Sequence, residues 1–395
     1  MLGIGIIGCG NISAAYLKLA PLFKGLEVRA VADANAAAAV ARGKEFGVKA
    51  LSVEDLLAAR NIDVVVNLTI PDAHFAVTRA ILQAGKHAYS EKPFVLTLAE
   101  GEELRAICKA KGLRVGSAPD TFLGGAHQAA RWAIDEGKVG KIVAGTAHVL
   151  NHGMEHWHPN PDFFFLPGGG PMMDLGHYYV TNFIQLSGPV KRVGALATAS
   201  FAERLVTAEG PKKGQTVPVK TPTNIHALLE FVNGATVTLS TSWDIWAHRH
   251  ANMELYGTEG SLFVPDPNFF GGKVEISGRG PEIAELKQPA HPFGIPNQEH
   301  PQGKVSNYRT AGLADMAIAI AEGRPHRCSL ELALHAVEVM TACLKSGETG
   351  QFVTMTTTCE RPAALSGAVS RPSRNATSSC CASAPRRMRS RRCPT

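Results

Sequence analysis

The stretch Leu2-Gly3-Ile4-Gly5-Ile6-Ile7-Gly8-Cys9-Gly10-Asn11-Ile12-Ser13 joins an apolar run of strand length to a helical pattern through two glycines one residue apart. Glycine at 8 and 10 lets the backbone turn and lets a pyrophosphate approach, while the positive end of the following helix stabilises phosphate charge. Gly8, Gly10, Asn11 and Ile12 are the first candidate cofactor contacts. Ser13 stands where the full dinucleotide fingerprint has its third glycine, so the strand–turn–helix setting carries the reading. Asp33 ends the next apolar run, 23 residues after Gly10. An acid there accepts hydrogen bonds from ribose hydroxyls and repels a 2′-phosphate, so NAD is expected over NADP. The competing role for Asp33 is a cap on a helix from Asn35 onward.

Outward from this unit, Leu2 to Gly8, Leu26 to Asp33, Ile62 to Thr69, Lys86 to Ser90 and Leu113 to Ala118 read as strands alternating with helical patterns. That alternation predicts an α/β, doubly wound parallel sheet over residues 1–121, a Rossmann domain. Ser52 with Asp55 and Thr97 with Glu100 have the spacing of capping boxes. From residue 122 the pattern changes to α+β. A helix from Leu123 to Gly137 precedes a strand from Ile142 to Leu150. Ile225 to Val232 and Ala235 to Trp243 form a hairpin through Asn233-Gly234, which supplies positive φ angles. Met253 to Tyr256 and Ser261 to Val264 repeat the theme, and a helix from Ser329 to Lys345 closes the fold. Residues 122–360 are thus expected to form a largely antiparallel sheet backed by helices, carrying substrate and oligomer contacts.

Past Arg361 the sequence turns to Ser, Arg, Ala, Pro and Cys without periodicity, and 361–395 is expected to be a disordered basic tail. Its abrupt change of character suggests the hypothesis of a reading-frame shift, which resequencing the coding DNA tests; a reproducible, unshifted tail would sink it. The tail also accounts for the formal charge of +6: it holds eight Arg and no acid, leaving 32 Lys and Arg against 34 acids. The remainder lacks the basic field of a nucleic-acid binder. No run reaches the roughly 18 apolar residues of a membrane span. The glycine loop leaves no room for a secretion signal, and the five Cys before the tail are scattered without CxxC spacing, so a cytoplasmic protein with reduced thiols is expected.

Glu91-Lys92-Pro93 follows the fourth predicted strand and puts a lysine at the carboxyl edge of the sheet, where open α/β folds bind ligands. With the glycine loop, Thr69-Ile70-Pro71-Asp72-Ala73-His74, and Gly169-Gly170-Pro171-Met172-Met173-Asp174-Leu175-Gly176-His177, the chain over residues 3–360 strongly resembles the Gfo/Idh/MocA oxidoreductases, the glucose–fructose oxidoreductase and inositol dehydrogenase family. The resemblance implies that Thr69, Pro71 and His74 border the nicotinamide, that Glu91 belongs to the cofactor site, and that Lys92 reaches nicotinamide ribose and substrate hydroxyl. It further implies a cis peptide before Pro93, and Asp174 and His177 as paired catalytic and substrate positions on one helical turn. His177 suits the base that takes a hydroxyl proton, because an imidazole titrates near working pH. Lys92 then orients the oxygen, and Asp174 binds substrate or orients His177. The loop of Trp157 and His158, with Phe163-Phe164-Phe165, either lines the pocket mouth, with Trp157 on a sugar face, or packs as ordinary aromatics. His152, His156 and His158 lack a regular ligand set, so no metal is expected. The expected function is NAD-dependent oxidation or reduction of a sugar or cyclic polyol hydroxyl by a homo-oligomer, dimer or tetramer. The alternatives are an NAD-retaining glycosidase and an inactive sugar- or nucleotide-sensing regulator.

Overall fold

A computed structural model describes residues 1–287, 290–301 and 303–365. Apolar runs buried on both faces build the first sheet: Ile4, Ile6, Val31, Val64, Val65 and Val66 are all sealed from solvent, as a sheet covered by helices on both sides requires. Its strands are β1 (Leu2–Ile7), β2 (Leu26–Ala32), β3 (Lys49–Ala50), β4 (Val64–Asn67), β5 (His87–Ser90) and β6 (Val115–Ser117), all parallel, in the order β3-β2-β1-β4-β5-β6. Helices α1 (Asn11–Leu19), α2 (Ala36–Phe46), α3 (Val53–Ala58), α4 (Pro71–Gln83) and α5 (Leu98–Lys111) connect them. The order reverses between β1 and β4, which opens a crevice at the carboxyl ends of those strands. Thr97 and Glu100 form the expected capping box on α5, whereas at α3 only the Ser52 hydroxyl accepts, from Asp55 N.

The second sheet is mixed. Its strands are β7 (Ile142–Leu150), β8 (Val190–Thr198), β11 (Asn224–Phe231), β12 (Thr236–Ser242), β13 (Met253–Gly257), β14 (Ser261–Val264), β15 (Glu275–Ser277), β16 (Ala284–Glu285) and β17 (Val353–Thr354), with β9 (Glu203–Leu205) and β10 (Thr216–Pro218) as a separate ribbon. Order runs β16-β15-β14-β13-β7-β12-β11-β8-β17, antiparallel except where β7 meets β12. Helices α6 (Gly125–Asp135), α7 (Gly170–Asp174), α8 (Gly176–Ser187), α9 (Ala311–Glu322) and α10 (Leu330–Thr349) complete the chain. Every residue of α8 is buried, so its polar side chains must find partners inside.

Three features differ from the sequence reading. In the β11–β12 hairpin Gly234 alone takes positive φ (90°), and Phe231 N bonds to Ala235 O. A three-residue loop with one left-handed glycine thus replaces the two-residue Asn-Gly turn. Helix α9, unmarked by any capping side chain, returns to pack on β6 of the first sheet. The packed chain also continues past 360: Arg361 Nη1 meets Asp135 Oδ1 at 2.8 Å and Leu365 N donates to Gln128 Oε1 at 2.7 Å. Arg361–Leu365 therefore belong to the fold, and the expected disorder and frame shift of the rest lie outside the described residues.

Candidate active site

The glycine loop has the shape a dinucleotide needs. Gly8 turns with φ of 105°, and a Cβ there would stand 2.5 Å from the Leu68 carbonyl. Above Gly10 nothing lies within 4 Å. Gly10 is the N-cap of α1, with no side-chain cap and no acid in the first turn, so helix N–H groups face open space beside Asn11 and Ile12 where a pyrophosphate would sit. Asn35, not Asp33, caps α2, its side chain accepting from Ala37 N. Asp33 instead receives Cys9 N at 2.7 Å and Asn35 N at 2.8 Å, which fixes the carboxylate and leaves lone pairs for ribose hydroxyls. These residues fit NAD. Asp33→Ala is expected to weaken NAD binding by roughly 10- to 100-fold, as the loss of charge-assisted hydrogen bonds implies, and to narrow its advantage over NADP. Titration with both nucleotides checks this, and unchanged selectivity removes Asp33 from the ribose site.

Two loops at the carboxyl edge are tied together behind this cleft. His74 is buried, with Nδ1 2.6 Å from Pro93 O and Nε2 3.0 Å from Thr69 O. It therefore braces the Thr69-Ile70-Pro71 turn against the Lys92-Pro93 turn rather than facing a ligand. Thr69 remains at the surface of its loop, its hydroxyl donating to Asn67 Oδ1 at 2.7 Å. Glu91 is likewise a bracket: its carboxylate accepts from Tyr16 Oη at 2.9 Å and from Lys92 N at 3.1 Å. The Lys92-Pro93 peptide is cis.

Lys92 Nζ donates to Asp174 Oδ1 at 2.7 Å and Asp174 O at 2.8 Å, and lies 5.4 Å from the centre of the Tyr178 ring. Burial opposes its charge, but Asp174, Tyr178 and Glu91 outweigh that, and the ammonium is held above its ordinary pKa. Lys92 and Asp174 thus form an ion pair that the sequence reading, which paired Asp174 with His177, does not anticipate. His177 is hydrogen-bonded to neither residue, although the Lys92 charge acts on its ring. The helix is interrupted at Leu175 between α7 and α8, so the simple three-residue spacing from Asp174 is not kept. His177 is 2% exposed and lines a small internal cavity with Phe94, Pro119, Thr181 and Leu332, its Nε2 without a hydrogen-bond partner. Burial, then the charges of Lys92 and His74, push it well below its ordinary range. Tyr178, the next residue, stands beside Lys92 instead. No motif in the sequence singles it out.

Trp157 is 57% exposed and meets His158 edge-on at 5.5 Å; His158 in turn packs against Phe163 and Phe164. This aromatic group sits on the loop leading into α7. Among the described residues no cluster of three or more His, Cys, Asp or Glu is arranged to hold a metal ion.

Comparison with known proteins agrees with this architecture. Residues 2–118 match the model of the oxidoreductase family with an NAD-binding Rossmann fold, and residues 127–263 match the GFO/IDH/MocA C-terminal domain. The chain belongs to the Gfo/Idh/MocA oxidoreductase family, and its N-terminal unit is an NAD-binding Rossmann domain. It is 32% identical over 146 residues to an uncharacterised oxidoreductase of Schizosaccharomyces pombe, covering 36% of this chain and 38% of that one. It is 26% identical to 1,5-anhydro-D-fructose reductase of Ensifer adhaerens, over 65% of this chain and 74% of the relative. A levoglucosan dehydrogenase solved with NADH superposes with a TM-score of 0.75 at 21% identity, over 90% of this chain and 99% of that one. Among the described residues no helix is long and apolar enough to cross a membrane.

Proposed function

We propose that the protein transfers hydride between NAD and a hydroxyl-bearing carbon of a sugar or cyclic polyol, with Lys92, Asp174 and Tyr178 as its catalytic group. The observation that carries this reading is the Lys92 ammonium, fixed between the Asp174 carboxylate and the Tyr178 ring at the ligand-binding edge of the parallel sheet. The relatives support the substrate class, since both 1,5-anhydro-D-fructose reductase and levoglucosan dehydrogenase are named for sugars. Bound NAD supplies the hydride acceptor, and NADH the donor, at the nicotinamide ring. The chain's own residues then handle the oxygen. Lys92 donates a hydrogen bond that polarises it, Asp174 holds Lys92 charged and in place, and the Tyr178 hydroxyl exchanges its proton. NAD is favoured over NADP by the Asp33 carboxylate. The open face of the second sheet exposes Leu196 (73%) and Leu228 (53%), and copies of the chain pair there as a homo-oligomer. The five cysteines among the described residues are unpaired, in keeping with a cytoplasmic setting.

The test is to incubate the purified protein with NAD or NADP and a panel of sugars, inositols and sugar acids, following nicotinamide absorbance. Turnover of a subset with NAD is expected. NAD binding without reduction by any compound, together with release from aryl glycosides, would replace the dehydrogenase reading with the NAD-retaining glycosidase. NAD binding with neither activity would leave a sensor.

A further inference from the structure

Asn252, just before β13, and the loop 265–272 after β14 meet the returning chain near Gly294 and Lys304–Ser306 around a cleft of about 500 Å³, a volume that suits a small organic ligand. Since β13 runs antiparallel to both β7 and β14, the cleft lies at the end of the second sheet from which the loop toward α7 departs. Lys92, Asp174, Tyr178 and the glycine loop are not among its walls. Three polar side chains are linked at its floor. Asn252 Nδ2 donates to Tyr179 Oη at 3.2 Å, and Tyr179 Oη donates to Asp266 Oδ1 at 3.2 Å. The phenol has one proton, which goes to the carboxylate, so the amide must turn its N–H to the phenol. Asn268 N donates to the same Asp266 Oδ1 at 3.0 Å. Tyr179 is buried and fixes both neighbours, and Asp266 Oδ2 and Asn252 Oδ1 are left as acceptors without a donor.

Among the described residues no Lys, Arg or His forms an ion pair with Asp266, and burial raises its carboxyl above the ordinary range. A partly buried carboxylate with one oxygen open gains most from a ligand that donates to it. The other walls narrow the class of that ligand. Lys304 brings a cation to the same cleft, paired with Glu299 at 3.4 Å. An ammonium ligand would meet that lysine, and an anionic one would meet Asp266. A neutral polyol meets neither penalty, because hydroxyls both donate and accept. Phe269 adds an aromatic ring, and Gly271 and Gly294 add bare backbone that a ring can approach. We infer that this cleft is a second sugar-binding site, separate from the Lys92–Asp174 pair, where Asp266 Oδ2 and Asn252 Oδ1 accept from ligand hydroxyls and Phe269 packs on the C–H face of the ring. The inference goes beyond the hydride-transfer reading and stands without it.

The test is a ligand-observed NMR titration of the full chain, without added nucleotide, with D-glucose, D-galactose, D-xylose, myo-inositol and maltose, in wild type, Asp266→Asn, Asn252→Ala and Lys92→Ala. Thermal melting and NAD affinity check the fold of each. At least one of these neutral ligands is expected to bind. Asp266→Asn, which keeps an oxygen for Tyr179 and Asn268, should weaken that ligand about tenfold through loss of the charged acceptor, and Asn252→Ala about threefold. Lys92→Ala should leave its Kd within about twofold. If Asp266→Asn does not fold, Asn252→Ala decides. Binding that disappears in Lys92→Ala and is unchanged in the cleft variants overturns the inference, because the sugar then sits at the lysine. Absence of binding by every member of the panel at millimolar concentration overturns it too. D-glucosamine is the charged control: if it binds more than about tenfold tighter than D-glucose and loses that advantage in Asp266→Asn, the cleft takes an ammonium and the assignment to neutral sugars fails. Failure of wild type to reduce NAD with any sugar is a separate result, which removes the hydride-transfer reading and leaves this site standing.

Discussion

Lys92→Ala is expected to lower kcat/KM at least about 1000-fold while NAD affinity changes by no more than a few-fold. In the proposed site the glycine loop and Asp33 hold the cofactor, away from the side chain removed, so binding should survive. Chemistry should not, for two reasons that act together. The donor that polarises the reacting oxygen disappears, and the Asp174 carboxylate, which Lys92 neutralises at 2.7 Å, is left with an uncompensated charge facing the place where negative charge develops. Steady-state turnover with a nucleotide titration on the same preparation checks both halves. A variant of wild-type activity removes Lys92 from the mechanism; lost activity with lost NAD binding would make Lys92 a cofactor residue only.

Tyr178→Phe should cost roughly 100- to 10,000-fold in kcat, the range for loss of a general acid–base, whereas His177→Gln should cost less than about tenfold. The contrast follows from the different surroundings of these adjacent residues. The centre of the Tyr178 ring lies 5.4 Å from Lys92 Nζ, while the His177 imidazole lines a small cavity with Phe94 and Pro119. Measured side by side under saturating sugar and NAD, the two variants leave little room for a shared role. If His177→Gln is the inactive one and Tyr178→Phe the active one, the assignment reverses.

What made the first domain legible was periodicity with sharp punctuation. Strands such as Val64–Asn67 are uninterrupted apolar runs because both faces are covered, and glycine or capping residues mark their ends. Two-residue β3 carries too little sequence to show any period. Helix α9 was missed for the opposite reason: Ala311–Glu322 is rich in alanine on every side and starts at a strained threonine rather than a capping residue. In the site, Lys92 and Asp174 could be read because motif and sheet edge pointed to the same place. The resemblance and the titration range of an imidazole point to His177 as the base, and nothing in the motif singles out Tyr178. The burial of His177 and the approach of Tyr178 to Lys92 depend on packing that spacing does not encode.

The most direct test of hydride transfer is isotopic. The sugar that supports turnover, deuterated at its carbinol carbons, would be incubated with NAD and the isolated NADH analysed by mass spectrometry. The account predicts one deuterium in each NADH, carried from the oxidised carbon. NADH formed without deuterium, or sugar converted while NAD stays unlabelled and oxidised at every stage of the reaction, would contradict it.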